Sequence, residues 1–307
     1  MSNGSAAMPA IENRAQALCL LATFIVATSF PVGAAITQGL DSVVLTLLRF
    51  ALSIVVLAPI VMWKYGIERP TLWDLSRYAT ISALLVVFFA GMFEALRYTS
   101  PLNTATLFTL TPMISAGAAA ILLGERPSSR TMVALGLGLA GAVWVIYRGD
   151  FSSLGAMVFN KGDVIFLIGT VAMGFYGSLV KVLHRGEPMA KMTFWVLVTG
   201  TVWLLILSLP RLGDVTWSAV PSITYYGIIY LACFTAVTFF IFQWSTLIIG
   251  PTKVMSYTYL HPTLVLLIGL ALGDEAPPLL TYPGFLLVIG ATFVLQRAPR
   301  KLVEVPL

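Results

Sequence analysis

Four hydroxyl-bearing residues in the second half of the chain have the spacing of one helix face. Thr252, Ser256, Tyr259 and Thr263 are separated by 4, 3 and 4 positions, which places them on a single stripe of an α-helix. Hydroxyl groups can hydrogen-bond a ligand without the desolvation cost of a charge. Such a stripe either lines a small-molecule site or joins neighbouring membrane helices. We favour the small-molecule site.

Aromatic side chains lie at a similar depth in the apolar segments around this stripe. Aromatic walls with hydroxyls and little charge suit a neutral or zwitterionic solute with an apolar side chain. The alternative for each aromatic is packing against lipid or against another helix. The candidate binding residues are Phe30, Thr106, Phe108, Thr109, Tyr176, Phe239, Ser256, Tyr257, Tyr259, His261 and Thr263.

Ionisable residues inside apolar segments are costly and tend to face a cavity or a partner. Glu94 stands three residues before Arg97 on one helix face, so it forms either a local ion pair or a gate or proton site. Arg49 lies near a helix end, and we expect its long side chain to reach the lipid headgroups. His261 either titrates or hydrogen-bonds a carbonyl freed by Pro262.

The composition requires lipid as the main solvent of this chain. Of 307 residues, 58% are hydrophobic and 10% are charged, and the mean hydropathy is +0.92; soluble domains have roughly a quarter of their residues charged. The net charge of +5 is not clustered, so no nucleic-acid partner is expected. Cys19 and Cys233 lie in apolar runs and are interpreted as small hydrophobic residues. No cofactor and no metal site are predicted.

Ten runs are long and apolar enough to cross a bilayer, which needs roughly 20 residues each. The fold class is therefore all-α, a polytopic membrane protein with ten transmembrane helices. The predicted spans are Ala17–Thr37, Val44–Trp63, Tyr78–Leu96, Asn103–Leu123, Thr131–Tyr147, Asp163–Leu183, Met192–Leu209, Val220–Trp244, Thr252–Leu272 and Leu279–Gln296.

Basic residues fix the predicted orientation of these spans. Thirteen lysines and arginines fall on the side that holds both termini, four fall on the other side, and Arg49 is left inside a span. Basic loops stay in the cytoplasm. Both termini are therefore expected to be cytoplasmic.

A pattern of two prolines and a glutamate occurs twice, with identical intervals of 11 and 13 positions and an offset of 150. The offset contains five spans, an odd number, so the second copy enters the membrane inverted. Chance matching in apolar sequence is the alternative. Inverted repeats are typical of secondary transporters, with the substrate held near the midplane. The matched positions are Pro101 and Pro251, Pro112 and Pro262, and Glu125 and Glu275.

The repeat divides the chain into two five-helix halves. We assign residues 1–16 to a short cytoplasmic tail, 17–147 to the first repeat, 163–296 to the inverted second repeat and 297–307 to a second cytoplasmic tail.

Prolines inside three spans are candidate hinges. Pro112 removes the amide that would bond the Phe108 carbonyl, and Pro262 does the same for Thr258. Pro31 acts likewise in the middle of the first span. Freed carbonyls persist at membrane depth only where protein or a watery cavity satisfies them. We predict Pro31, Pro112 and Pro262 as hinges, although each is also interpretable as a tolerated kink, and Glu94 is the gate candidate.

One glycine motif matches a nucleotide-binding pattern by sequence alone. GLGLAG, at residues 136–141, fits G-x-G-x-x-G, but that fingerprint needs a preceding strand and a helix opening onto a pyrophosphate. The motif lies within a predicted span. Close helix packing is therefore the expected function of these glycines.

The stretch YTSPLNTATLFTLTP, followed by GERP and GLGLAG, together with Arg49 in LLRFALS, resembles the EamA branch of the drug/metabolite transporter superfamily. The resemblance covers essentially the whole chain and is nearest to YddG-type bacterial exporters of aromatic and neutral amino acids. It implies a ten-helix bundle, a central cavity lined by helices 1, 3, 4, 6, 8 and 9, and alternating access. The stretch SFPVG in the first span departs from the usual pattern of the family.

The sequence predicts a secondary exporter of small neutral metabolites, chiefly aromatic and other neutral amino acids, and not an enzyme. The alternatives are export of other drugs or metabolites or of anionic solutes such as sugar phosphates and nucleotide sugars, and a non-transporting scaffold. Anionic solutes call for a basic residue facing the cavity at mid-depth, and none is expected. We expect a monomer in a bacterial inner membrane, with the bilayer and a small molecule as its partners.

Overall fold

The computed structural model describes residues 3–66, 69–125, 127–147, 160–273, 276 and 278–297, without the side chains of residues 3–9, 106 and 146. Within these ranges the regular structure is entirely helical. Nine helical segments are long and apolar enough to cross a membrane, and one further apolar helix is shorter. In chain order they are α1 Asn3–Ile36, α2 Ser42–Tyr65, α3 Leu72–Ala95, α4a Pro101–Leu107 with α4b Thr111–Leu123, α5 Ser129–Ile146, α6 Lys161–Leu183, α7 Met189–Leu212, α8 Ser222–Ile249, α9a Pro251–Ser256 with α9b His261–Ala271, and α10 Tyr282–Arg297.

The predicted fold class is confirmed, because each helix in the described ranges overlaps one predicted span. The helix boundaries differ most at the amino terminus, where α1 begins at Asn3 and not at Ala17. Of the six repeated positions, Glu275 lies outside the described residues.

Local sequence signals set several of the helix ends. Asp41 accepts hydrogen bonds from the amides of Val43 and Val44, and it therefore caps α2. Thr71 with Asp74 and Asn160 with Asp163 form reciprocal capping boxes that begin α3 and α6. Side-chain caps of this kind satisfy amides that have no partner inside the helix.

Both helices that carry the repeated prolines are broken at the same place. A 3₁₀ turn, Phe108–Leu110, separates α4a from α4b, and another, Tyr257–Leu260, separates α9a from α9b. Pro112 and Pro262 each occupy the second position of the following α-helix, where a missing amide costs nothing. In contrast, α1 continues through Pro31.

The tighter turns satisfy the carbonyls that the prolines free. The Phe108 carbonyl accepts the amide of Thr111 and also the Thr111 hydroxyl, at 2.6 Å. The Thr258 carbonyl accepts the amide of His261. The two breaks therefore keep the backbone bonded in a region where no lipid group could do so.

Helix packing repeats between the two halves of the chain, as the sequence repeat predicted. α3 packs on α6 and α8 packs on α1; α2 packs on α8 and α7 packs on α3; α4b packs on α6 and α9b packs on α1. In each of these three pairs of contacts, the second follows from the first when five is added to both helix numbers and α1 is counted as following α10. The pairs α2 with α7, α5 with α10 and α4 with α9 map onto themselves, so they lie where the two repeats meet.

Glycines of the GLGLAG stretch allow α5 to approach its neighbours closely. A Cβ at Gly141 would lie 2.7 Å from the Cβ of Leu287 and 3.0 Å from the amide nitrogen of Val288 on α10. A Cβ at Gly138 would meet the ring of Tyr259, at 2.6 Å. Gly136 has no heavy atom within 4 Å of that position. Two of the three glycines therefore serve helix packing.

We predict that Gly141→Ala destabilises the protein by about 1–3 kcal/mol, because the added methyl group meets backbone that cannot rotate away. Gly136→Ala is the matched control on the same helix, and it should be neutral or slightly stabilising because alanine has the better helix propensity. Thermal unfolding of the two purified variants in detergent measures the difference. Equal melting temperatures would show that α5 and α10 are not in this close contact.

Candidate functional site

A largely enclosed cavity lies between the two repeats, at the level of the breaks in α4 and α9. It is lined by α1, α2, α3, the α4 turn, α6, α8 and α9. The space open to the centre of a water-sized sphere is about 30 Å³, which is room for about two water molecules, whereas ligand pockets usually hold about 300–1,000 Å³. The lining residues are Thr23, Val26, Ser29, Phe30, Arg49, Phe88, Phe89, Met92, Phe108, Met173, Thr238, Phe239, Phe242, Val254, Met255, Thr258 and His261.

Aromatic rings form most of the cavity wall and contact one another. The Phe108 ring stacks on Phe88 with centroids 5.0 Å apart, and on His261 at 5.3 Å. The Phe30 ring packs on both Phe108 and His261, at 6.1 and 5.7 Å. Residues of α1, α3, α4 and α9 therefore share one aromatic cluster that fills the centre of the molecule.

Arg49 is buried in the wall of this cavity, with a relative exposure of 3%. Its Nε donates to the Thr235 hydroxyl at 2.7 Å, and the guanidinium carbon lies 4.3 Å from the centroid of Phe89. The position is about 10 Å along α2 from Ser42. The expectation that Arg49 extends to the headgroups was wrong, because α8 and α3 hold the side chain inward.

Three cavity residues have polar atoms with unmet hydrogen-bonding capacity. Within the described part of the chain, Arg49 Nη1, Thr258 Oγ1 and both ring nitrogens of His261 are buried without a hydrogen bond of normal geometry, although the backbone of Thr23 is close enough to interact with the imidazole. Buried polar atoms are nearly always paired. Unpaired polar atoms on residues that line a cavity are therefore candidates to bind a ligand.

Four of the predicted binding residues line the cavity: Phe30, Phe108, Phe239 and His261. The hydroxyl stripe of α9 lies elsewhere. Tyr259 donates to the Leu135 carbonyl on α5 at 2.8 Å, and Ser256 accepts from Gln296 on α10 at 2.9 Å. Tyr259 and Ser256 therefore join α9 to neighbouring helices. The residues of the α9 break and α9b that line the cavity are Thr258 and His261.

The other predicted residues whose side chains the structure describes do not line the cavity. Thr109, Tyr176, Tyr257 and Thr263 are buried. Tyr176 accepts a hydrogen bond from the Gln243 amide at 2.7 Å. The side chain of Thr106 lies outside the described residues.

Glu94 takes part in a polar contact that joins three helices at the predicted external end. Ser42, at the start of α2, donates to Glu94 at 2.8 Å, and Arg97 lies 3.7 Å away. Arg97 also donates to the Leu40 carbonyl at 2.8 Å, while Thr37 donates to the Phe93 carbonyl at 2.5 Å. The ion pair that the sequence offered as one alternative is present, and the carboxylate also holds α2.

A matching contact joins three helices at the predicted cytoplasmic end. Thr193 on α7 donates to the side-chain carbonyl of Gln243 on α8, whose amide donates to Tyr176 on α6. Thr193 and Gln243 stand 151 and 149 positions after Ser42 and Glu94. The two contacts are therefore inverted-repeat counterparts, one with a carboxylate and the other with a neutral amide.

Sequence reasoning missed most of the residues that line the cavity through α1, α3 and α8. Thr23, Ser29 and Thr238 had no spacing pattern that distinguished them from other hydroxyls. Arg49 did carry a signal, because it is the one charge within the span Val44–Trp63, and an ionisable residue inside a membrane span indicates a functional site by default.

Ten helices in two repeats of five, closed over a central cavity, are the architecture of a membrane transporter. The chain belongs to the EamA-like transporter family, whose model matches residues 13–147 and 160–297.

Its relatives include two of moderate similarity over most of the chain. An uncharacterized transporter, YyaM, of Bacillus subtilis (strain 168) is 26% identical over 79% of this chain and 80% of its own length. A probable terminal-alkyne amino-acid exporter of Streptantibioticus cattleyicolor is 26% identical over 88% of this chain and 90% of its own length. A protein of known crystal structure has the same fold, with a TM-score of 0.67 at 17% identity, over 92% of this chain and 97% of that one.

We predict that Thr193→Val lowers stability by about 1 kcal/mol, because it removes the hydrogen bond from α7 to α8 and leaves the Gln243 carbonyl unpaired. Thr201→Val is the matched control, since Thr201 lies on the same helix and bonds only to the Leu197 carbonyl of its own helix. Thermal unfolding in detergent provides the measurement. A loss of stability no larger for Thr193→Val than for Thr201→Val would contradict a stabilising contact here.

Proposed function

We propose that this transporter exports small neutral metabolites, chiefly aromatic and other neutral amino acids, by alternating access through the central cavity. The observation that carries the proposal is the chemistry of the cavity wall, which combines a continuous aromatic surface with a few unpaired polar atoms. An apolar wall with few, placed polar groups suits a solute that has a small polar head and an apolar side chain.

Alternating access is supported by the positions of the polar contacts at the two ends. The Ser42–Glu94 contact closes the bundle at one end, and the Thr193–Gln243 contact closes it at the other. With both in place the cavity is too small for an amino acid, so loading requires that one end opens. Breaking the contacts one end at a time, with the breaks in α4 and α9 as hinges, would expose the cavity to each face in turn.

The membrane and orientation follow from the charge bias of the loops. We propose a bacterial inner membrane with both termini in the cytoplasm, where basic loops are retained. A single chain forms the complete cavity, so the proposed working unit is a monomer. Proteins of this construction transport solutes and need no catalytic residue.

An anionic organic solute is a second candidate, because Arg49 places a positive charge in the cavity. Among the described lining residues Arg49 is the one that carries a permanent charge. One guanidinium matches one carboxylate better than it matches a doubly charged phosphate. This second candidate is therefore a simple carboxylate, and sugar phosphates are disfavoured.

We predict that Phe30→Leu slows exchange of phenylalanine about tenfold or more, because the ring is part of the aromatic cluster that the substrate side chain would contact. Phe24→Leu is the matched control on α1, since Phe24 is 51% exposed on the outer surface whereas Phe30 is 1% exposed. Counterflow of labelled phenylalanine into proteoliposomes measures both variants.

The same vesicles test the substrate class and the coupling. A panel of neutral amino acids, with and without a pH gradient, should show counterflow of the aromatic ones. The proposal fails if no neutral amino acid exchanges. Rates that stay unchanged when the gradient is collapsed would exclude proton coupling and leave facilitated diffusion.

A further inference from the structure

Arg49 is a buried cation without an acidic partner in the described part of the chain. The acidic residues described there lie in loops, near helix ends or, for Glu12, on the exposed first part of α1, and those in ion pairs contact other basic residues. Removing an ion from water costs several kcal/mol unless it is paired. The side chain keeps one hydrogen bond, to Thr235, and contacts two aromatic faces, while Nη1 stays unpaired.

The surrounding structure fixes this side chain in place rather than letting it retract. Ser53 on α2 donates to both the Arg49 carbonyl and the Ala232 carbonyl on α8, at 2.8 and 2.9 Å. Thr235, which accepts from Nε, is itself bonded to the Leu231 carbonyl at 2.6 Å. The guanidinium is thus held against α8, and its Nη1 is buried without a hydrogen-bond partner in a residue that lines the cavity. A side chain fixed in this way is preorganised to bind an anion.

We propose that Arg49 is the binding site for the carboxylate of the transported solute, and that Thr258 and His261 on α9 accept the hydrogen bonds of its amino group. This assignment rests on the function proposed above and specifies how the cavity recognises its substrate. The head group is then held between α2 of one repeat and α9 of the other, with the side chain among the rings of Phe30 and Phe108.

In the closed cavity two phenylalanines occupy the place of the ligand at the guanidinium. Phe89 and Phe93 lie 4.3 and 5.7 Å from the guanidinium carbon. Cation–π contacts of this kind stabilise a buried guanidinium less than a bidentate carboxylate does. When a carboxylate binds, the guanidinium therefore exchanges a weak partner for a strong one. This gain favours binding of the solute although the closed site has almost no free volume.

Four compounds that share a benzyl group test the carboxylate site and the amino-group site separately on the wild-type protein. Phenylalanine carries both charges, 3-phenylpropanoate only the carboxylate, phenethylamine only the amine, and phenylalaninol an amine and a hydroxyl. Thermal stabilisation of the purified protein in detergent measures binding, and counterflow in proteoliposomes measures transport. We expect phenylalanine and 3-phenylpropanoate to stabilise the protein, and phenylalaninol and phenethylamine to bind about tenfold or more weakly.

Arg49→Gln and Arg49→Lys give the residue-level test, with Arg130→Gln as the control because Arg130 is exposed at the start of α5. Arg49→Gln should abolish the preference for the carboxylate, and Arg49→Lys should restore it in part because lysine keeps the charge without the planar fork. Arg130→Gln should behave as wild type.

Each outcome decides one claim. Equal binding of phenylalanine and phenylalaninol by the wild-type protein, or no stabilisation by any carboxylate, overturns the assignment of Arg49. Binding and exchange of 3-phenylpropanoate without phenylalanine overturns the proposed amino-acid substrate and the α9 amino-group site, and leaves Arg49 as a carboxylate site. Because the analogue series needs no variant, the test holds even if Arg49→Gln fails to fold.

Discussion

Backbone amides and carbonyls that cross a hydrocarbon core must find partners inside the protein, because lipid offers none. Most of the chain meets this constraint with unbroken helices. α4 and α9 do not, since Pro112 and Pro262 each remove an amide at mid-depth. The 3₁₀ turns before these prolines recover the lost bonds within the helix, and the aromatic cluster of Phe108 and His261 packs around them. The cavity lies where the backbone is broken, so the proposed binding surface and the proposed hinges have the same cause.

Inversion makes the two ends of the bundle similar in geometry, and the residue types then make them different. Ser42–Glu94 and Thr193–Gln243 occupy corresponding positions, yet one contact contains a titratable carboxylate with a nearby arginine and the other a neutral amide bonded to Tyr176. A neutral hydrogen bond between membrane helices contributes little net stability, on the order of 1 kcal/mol. Under the proposed alternating access, weak contacts at both ends would let small differences in substrate binding shift the balance between the two states.

The sequence was sufficient for the fold because the fold depends on long-range regularities. Run lengths gave the ten helices, and the spacing of prolines gave the inverted repeat. Which face of α9 lines the cavity was a different problem. The stripe of Ser256 and Tyr259 and the face of Thr258 and His261 have similar polarity, and their orientation depends on where α5 and α10 pack. That packing is set by Gly138 and Gly141 on another helix, 115 or more positions away from Ser256 and Tyr259. No periodicity within α9 contains this information.

The role of Arg49 depends on its depth in the membrane and on the direction of its side chain. Counted along the sequence, it stands near enough to a helix end for its side chain to reach the surface. In the bundle, Thr235 of α8 accepts a hydrogen bond from Nε and holds the side chain inward. A guanidinium that is bonded inward loses its hydration, and this desolvation lowers the stability of the folded protein. An arginine with a purely structural role could avoid that loss by extending to water. Its burial beside a cavity of about 30 Å³, against the rings of Phe89 and Phe93, fits the proposal that this charge receives its full partner only when the substrate is bound.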